Sequence, residues 1–259
     1  MFLVTGGTGT LGRLVLPQLL QAGGKVRVLS RHPGEAAEGI EFAVGDLDTG
    51  RGIDAAVAGA EVIVHCAGSQ KGDGDKARTL VRAASQAGAR HLVNISVVGA
   101  DRVPQDGRLD RTMFGYFGSK LDAEQVVAGS GLPWTTLRAT QFHDLLLMVA
   151  RAMARLPVIP VVSGMRFQPV DAGEVAARLA ELALGSPSGL VPDLAGPRVY
   201  PMADLIQSYL RAAGKRRPVV SVPLPGHAAK AVRDGANLAP GRAVGRRTWE
   251  EFLAERVRR

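Results

Sequence analysis

Residues 2–13 read Phe2-Leu3-Val4-Thr5-Gly6-Gly7-Thr8-Gly9-Thr10-Leu11-Gly12-Arg13. A short apolar run breaks into glycines spaced G-x-x-G-x-x-G, and Leu11, Leu14, Val15 and Leu19 then recur at helical spacing. That order of strand, glycine turn and helix suits a chain turning beneath the pyrophosphate of a dinucleotide. Gly6 supplies the tight turn, Gly9 lets the backbone approach the phosphates, and Gly12 lets the helix pack on the strand. The first N–H groups of the helix then face the anion. On this reading Gly6, Thr8, Gly9, Thr10, Leu11 and Gly12 form a cofactor loop, and the bland alternative is an ordinary glycine turn. No Gly-Lys-Ser/Thr follows, so the loop is not a P-loop.

Outward from the loop, apolar runs and amphipathic stretches alternate. This predicts an α/β fold of the Rossmann type, a doubly wound parallel sheet with helices on both faces. Strands are expected at 2–5, 25–30, 40–44, 61–66, 91–97 and 134–138, and helices at 11–21, 53–57, 75–86 and 116–128. Residues 99–112 read as a polar loop carrying Pro104 and Gly107. Beyond residue 140 the pattern is less regular. A helical apolar face covers 142–155, an extended run covers 157–162, and helices are expected at 171–184, 202–213 and 248–256, with Asp171 as a cap. The expected organisation is a Rossmann core over 1–140 with a small C-terminal substrate-side region over 141–259, interleaved in a single structural domain.

The chain has 259 residues, 46% hydrophobic and 22% charged. No apolar run approaches the ~20 residues that span a bilayer, and the opening strand leaves no leader to expect. The single cysteine, Cys66, forbids an internal disulfide and fits a reducing cytoplasm. At the end of an apolar run it reads as a small buried hydrophobe. The net charge of +8 lies in residues 205–259, where twelve Lys/Arg face four Asp/Glu, with clusters at Lys215-Arg216-Arg217 and Arg246-Arg247. An anionic partner or nucleic acid is one reading. Without interleaved aromatics or a DNA-binding motif, a solvated basic surface is the better one, and nucleic acid is not the expected partner. His32, His65, His91 and His227 are scattered without ligand spacing, so no metal site is expected.

In sites that prefer NAD, an acidic residue at the end of the second strand accepts a bond from the ribose 2′-OH. Here Val26–His32 carries no carboxylate, and Ser30 and Arg31 stand in that place with Arg13 nearby. Guanidinium groups match phosphate, which favours NADP(H), with NAD(H) as the alternative. The bland reading of Arg31 is a surface charge in the turn that Pro33-Gly34 marks. Gly45-Asp46-Leu47, after the third strand, is placed to approach the adenine, and Asp46 alternatively caps its own loop. In Tyr116-Phe117-Gly118-Ser119-Lys120, a phenol and an ammonium share one helix face. The cation is expected to lower the Tyr116 pKa from about 10 toward neutrality, as general acid–base work requires. Ser96, at the carboxyl end of the fifth strand, is a donor for a substrate carbonyl oxygen.

Together TGGTGTLG (5–12), NISVVGA (94–100) and YFGSK (116–120) resemble the short-chain dehydrogenase/reductase superfamily. The chain is most similar to its atypical, NmrA-like branch, which includes members described as nucleoside-diphosphate-sugar epimerases. LPWTTLR (132–138), followed by QPVD (168–171), is similar to that branch too. The resemblance covers nearly the whole chain. It implies a Rossmann fold, a nicotinamide cofactor and a catalytic set at Ser96, Tyr116 and Lys120. It further implies that Lys120 contacts the nicotinamide ribose and that Ala139–Phe142 lies against the nicotinamide. Ala67 and Gly68, after the fourth strand, join the cofactor residues. The interval from Ser96 to Tyr116 is longer than in short reductases and nearer the extended members.

Gln141, Phe142 and His143 are expected on the substrate side, where His143 orients or protonates a substrate or is a surface residue of a helix start. Phe142, Leu145, Leu146 and Met165 are expected to form an apolar wall, which favours a small apolar or aromatic substrate. The implied activity is NADP(H)-dependent hydride transfer to or from a carbonyl or quinone-like carbon, in the cytoplasm, with a homodimer as an open alternative to a monomer. Two other readings stand beside it. One is a non-catalytic regulator that senses NADP(H) and docks through its basic C-terminal fifth. The other is an NAD-dependent sugar-nucleotide epimerase, which Arg31 disfavours.

Overall fold

All seven residues of the run 91–97 are buried, as are three of the four at 2–5 and at 62–65. Strands covered on both faces read this way. A computed structural model describes residues 1–35, 37–69 and 71–257. In chain order the elements are β1 (Phe2–Thr5), α1 (Thr10–Gln21), β2 (Val26–Ser30), β3 (Ile40–Val44), α2 (Ile53–Val57), β4 (Val62–His65) and α3 (Asp73–Gln86). They continue with β5 (His91–Val97), α4 (Arg108–Ala128), β6 (Trp134–Ala139), α5 (His143–Met153), β7 (Ile159–Val162), β8 (Arg166–Phe167) and α6 (Ala172–Leu184). The last are β9 (Gly189–Leu190), β10 (Tyr200–Pro201), α7 (Met202–Ala212), β11 (Val219–Val222), α8 (His227–Arg233) and α9 (Trp249–Arg256).

Two compact units emerge. The first comprises Met1–Ser96, Gly115–Arg138 and Gly173–Pro192. Its seven-stranded sheet runs β3-β2-β1-β4-β5-β6-β9, and β1 pairs in parallel with both β2 and β4. This is the expected doubly wound Rossmann order. The chain reverses its direction of winding between β1 and β4, and ligands of such sheets bind beyond the carboxyl ends of those strands. Leu3, Ile63, Leu80, Leu92 and Val127 are fully buried together beneath the helices. Arg138 of β6 donates from Nε and Nη2 to the two carboxylate oxygens of Glu124 at 2.9 and 2.6 Å, which ties α4 to the sheet.

One boundary differs with consequence. Residues 99–107 form the expected loop, but 108–112 belong to α4, which begins at Arg108. Tyr116 and Lys120 therefore sit two turns or more inside a long helix. The charges Asp106, Arg108, Asp110 and Arg111 disguise the start, but Asp110 lies in the first helical turn, where a carboxylate complements the helix dipole.

The second unit comprises Val97–Phe114, Ala139–Ala172 and Asp193–Arg259. In it β7 pairs in parallel with β11, and β8 antiparallel with β10. Its core gathers Ile159, Tyr209, Trp249 and Phe252. Thr248 and Glu251 form a reciprocal capping box at the start of α9. The two-residue strands β8, β9 and β10 escape a sequence reading because a pair of residues has no period.

His143 belongs to this core. It has no exposed surface, stacks on Phe252 at 4.9 Å between ring centroids, and lies 5.9 Å from Trp249. Neither ring nitrogen has a hydrogen-bond partner among the described residues, and burial pulls its pKa down to about 4. The expectation that His143 orients or protonates a substrate is therefore corrected, as is the surface alternative. Leu146 and Met165, expected in a substrate wall, are likewise buried in their own unit. Among the described residues no helix is long and apolar enough to cross a membrane.

A histidine kept neutral by the fold while the unfolded chain takes a proton gives stability that is present above about pH 6.5 and lost as pH falls toward 4. His143→Phe keeps the aromatic stack and removes this term. Thermal melts are expected to show a shallower loss of stability between pH 7 and pH 5 in the variant, by about 2 kcal/mol at pH 5. An unchanged acid slope would show that His143 is not the residue responsible.

Candidate active site at the carboxyl edge of the sheet

The turn after β1 is built from absent side chains. Gly6 has φ +67°, a conformation other residues adopt at a cost, and the place a side chain would take is filled by the β4 exit. A Cβ on Gly6 would lie 2.7 Å from the Ala67 nitrogen, one on Gly7 2.7 Å from Val28 Cγ1, and one on Gly12 2.3 Å from the Gly6 oxygen. Gly12 thus has the role expected of it, and Gly7 has one that the spacing rule did not assign. Gly9 differs, since a Cβ there would meet only the Gly6 oxygen at 3.2 Å. Gly9 caps α1 without a side chain, so the helix's first N–H groups are left for an anion. Thr8, Gly9 and Thr10 are exposed, whereas the Leu11 side chain is buried, which leaves Leu11 only its backbone for cofactor contact.

The neighbouring strand ends lie level with this turn. The Thr5 hydroxyl accepts the Ala67 N–H at 3.2 Å and bonds His65 Nδ1 at 2.7 Å, fixing the exit of β4 against β1. Burial, reinforced by Lys120, lowers the His65 pKa to about 4, so this bond is made to a neutral ring. Burial pushes the Cys66 thiol up to about 12, which agrees with an inert cysteine. His65 pairs with Asn94 across β4 and β5, so Ser96 stands at the level of Ala67. The Ser96 hydroxyl is buried and has no hydrogen-bond partner among the described residues. An unpartnered buried hydroxyl is costly unless something it binds completes it.

On the other side, the Gly45 N–H donates to the Ser30 oxygen at 2.9 Å, which sets Ser30-Arg31 beside Gly45-Asp46. Arg13 and Arg31 are both exposed and make no ion pair among the described residues. Asp46 Oδ1 accepts the Asp48 N–H at 3.0 Å, the loop-capping role held open for it. Leu47 is corrected as a side-chain contact, since it packs into the core of its unit.

Lys120 reaches the same edge from α4. Its ammonium lies 5.8 Å from the centroid of the Tyr116 ring, so the helix face does bring the two together. A Cβ on Gly68 would come within 2.6 Å of Lys120 Nζ. The expected shift of Tyr116 is corrected, however. Part of the ring meets solvent, yet desolvation raises the phenol above its ordinary value, and the opposing pull of Lys120 does not reverse this. The physical reason is burial first, and the pull of Lys120 is offset in part by Asp73, whose Oδ2 pairs with Lys120 Nζ at 3.0 Å in a buried ion pair. Sequence reasoning missed Asp73, which carried no signal beyond a carboxylate near a helix start. Ala139, Gln141 and Phe142 lie in the second unit, where the Gln141 amide donates to the Asn237 oxygen at 3.2 Å. Among the described residues no group of three His, Cys, Asp or Glu could hold a metal.

A glycine cradle at the switch point, beside an unpartnered serine and a lysine over a glycine, is the edge of a Rossmann dinucleotide-binding domain. The NAD(P)H-binding family matches residues 6–145, more than half of the chain, and the chain belongs to that family. It is 30% identical over 243 residues to the ceramide reductase of Caulobacter vibrioides, covering 86% of this chain and 74% of that protein. It is also 30% identical over 248 residues to the NAD(P)H azoreductase of Xenophilus azovorans, covering 92% and 82%. An NADPH-dependent quinone oxidoreductase from Escherichia coli, solved with NADPH, shares the fold with a TM-score of 0.82 at 20% identity, over 98% of this chain and 99% of that one.

The cradle separates two effects of adding a methyl group. Gly12→Ala is expected to cost about 1–3 kcal/mol by forcing backbone apart, and to weaken NADPH binding with it. Gly9→Ala has room in the free protein and is expected to cost less than about 1 kcal/mol while still blocking the phosphates. Urea denaturation and NADPH fluorescence titration on both variants check this. Unchanged NADPH affinity in Gly9→Ala would remove Gly9 from the phosphate site.

Proposed function

We propose that this NAD(P)-dependent oxidoreductase takes its electrons from NADPH and reduces a carbonyl or quinone-like carbon of a small apolar or aromatic molecule. The observation that carries the reading is the continuity of the edge, where the glycine turn abuts Ala67 and Gly68 abuts Lys120, one helical turn from Tyr116. The cradle fits a pyrophosphate because any side chain at Gly6, Gly7 or Gly12 would collide with its surroundings. When bound, the reduced nicotinamide supplies a hydride to an electrophilic carbon.

The chain's own residues handle the oxygen and its proton. Tyr116, whose raised pKa keeps it in the acid form at neutral pH, donates its hydroxyl proton to the substrate oxygen and recovers one from solvent at its exposed edge. Ser96 gives its unpartnered hydroxyl to the same oxygen as negative charge develops there. Lys120 holds a fixed positive charge beside the phenol and is the residue placed to meet the nicotinamide ribose. Arg31 and Arg13 are the exposed cations that supply the preference for a 2′-phosphate. A cytoplasmic setting agrees with the single cysteine, and the family's small-molecule chemistry is compatible with a homodimer.

Absorbance loss of NADPH against a panel of quinones and ketones tests the activity. Tyr116→Phe is expected to lower kcat by about a hundredfold or more with little change in NADPH affinity. Tight NADPH binding with no turnover on any member would leave a cofactor-sensing protein instead. Arg31→Ala is expected to weaken NADPH binding about tenfold or more and leave NADH unaffected. Equal losses for both nucleotides would place Arg31 away from the 2′-phosphate.

A further inference from the structure

We propose that Asp73 is a positioning residue for the Tyr116–Lys120 pair. It clamps the Lys120 ammonium in a buried ion pair, so that the charge stands at a fixed place beside the phenol and acts on it with part of its field cancelled. The inference rests on the reading that Tyr116 and Lys120 serve the substrate oxygen.

The clamp is built, not incidental. Asp73 is 1% exposed and the Lys120 side chain 7%, so neither charge has water to screen it. Asp73 Oδ2 lies 3.0 Å from Lys120 Nζ, while Oδ1 accepts the Ser69 N–H at 2.8 Å. The Asp73 N–H donates to Ser119 Oγ at 3.0 Å, so the carboxylate's own backbone is held by the residue preceding Lys120. Ser69 Oγ in turn accepts from Lys76 Nζ at 2.8 Å, and Lys76 pairs with Asp48 at 3.1 Å. The two helices approach closely enough for this because Gly74 packs against Asp122, where a Cβ would come within 2.9 Å of the Asp122 Cβ.

A carboxylate in the first turn of a helix has a simpler use, since it complements the helix dipole. α3 already has Asp75 for that purpose, exposed and paired with Arg78 at 2.6 Å. Asp73 faces the other way. The charged groups that act on the Tyr116 phenol are Lys120 from its own helix and Asp73 from α3, with opposite signs. On the β4 side of Lys120 stand His65 and Cys66, both uncharged at neutral pH. Asp73 is therefore the group that decides how much of the ammonium's field the phenol feels.

The test reads the phenol directly in the cofactor-free protein, by NMR titration of protein labelled at tyrosine Cζ, with the Tyr116 signal assigned by its loss in Tyr116→Phe. Asp73→Asn is expected to lower the Tyr116 midpoint by about one pH unit or more, because the released ammonium then acts at full strength. Asp75→Asn is expected to leave it in place. No shift in folded Asp73→Asn, or an equal shift in Asp75→Asn, would overturn the proposal.

Should Asp73→Asn fail to fold, Asp73→Ser decides by the same readout. A lowered Tyr116 midpoint supports the clamp, and an unchanged one overturns it. These readouts do not depend on turnover. Loss of the Tyr116 role in catalysis and loss of the clamp are therefore separate results.

Discussion

The contact on which the rest of the site depends is the approach of α1 to the turn after β1. The space at Gly12 is so small that a single methyl group would stand 2.3 Å from the Gly6 oxygen. That closeness points the helix's first N–H groups at the carboxyl edge, where they meet any anion with the positive end of a helix dipole. The same turn presses on Ala67, which the Thr5 hydroxyl also holds. The order of the β4 exit, and through Gly68 the place of Lys120, follows from one tight backbone contact. Distortion at Gly12 would therefore be felt at the Tyr116–Lys120 pair as well as at the start of α1.

Much of this was legible in the sequence because it is encoded locally. Glycine spacing declares a turn, and buried strands such as His91–Val97 declare themselves by β-branched and other apolar residues such as Leu92, Val93, Ile95 and Val97. Tyr116 and Lys120 share a face because four residues make about one helical turn. What stayed hidden is non-local. Nothing within ten residues of Asp73 says that its carboxylate meets Lys120, 47 positions later in the chain. His143 was misread because a polar type after a strand looks like a site residue. Its neighbours Trp249 and Phe252 arrive from the far end of the chain. The start of α4 was misread for a related reason, since charge-rich stretches resemble loops when a helix end lies among them.

The cations of the first unit divide into two kinds, and the division bears on how the edge works. Arg13 and Arg31 are exposed, long and free of ion pairs among the described residues. Such groups adapt to a phosphate and release water at small cost. Lys120 is buried, and its ammonium is held against a carboxylate. In that partner, Asp73, Oδ1 accepts the Ser69 N–H, and the backbone N–H donates to Ser119 Oγ. On the proposed reading, exposed arginines meet the cofactor's phosphate, while the charge beside the Tyr116 phenol is fixed in advance by its ion pair. A fixed charge needs no reorganisation as the oxygen becomes negative, which is the condition for electrostatic catalysis. On the proposed reading, a phenol kept protonated at neutral pH by burial is in the form that hands a proton to a substrate oxygen.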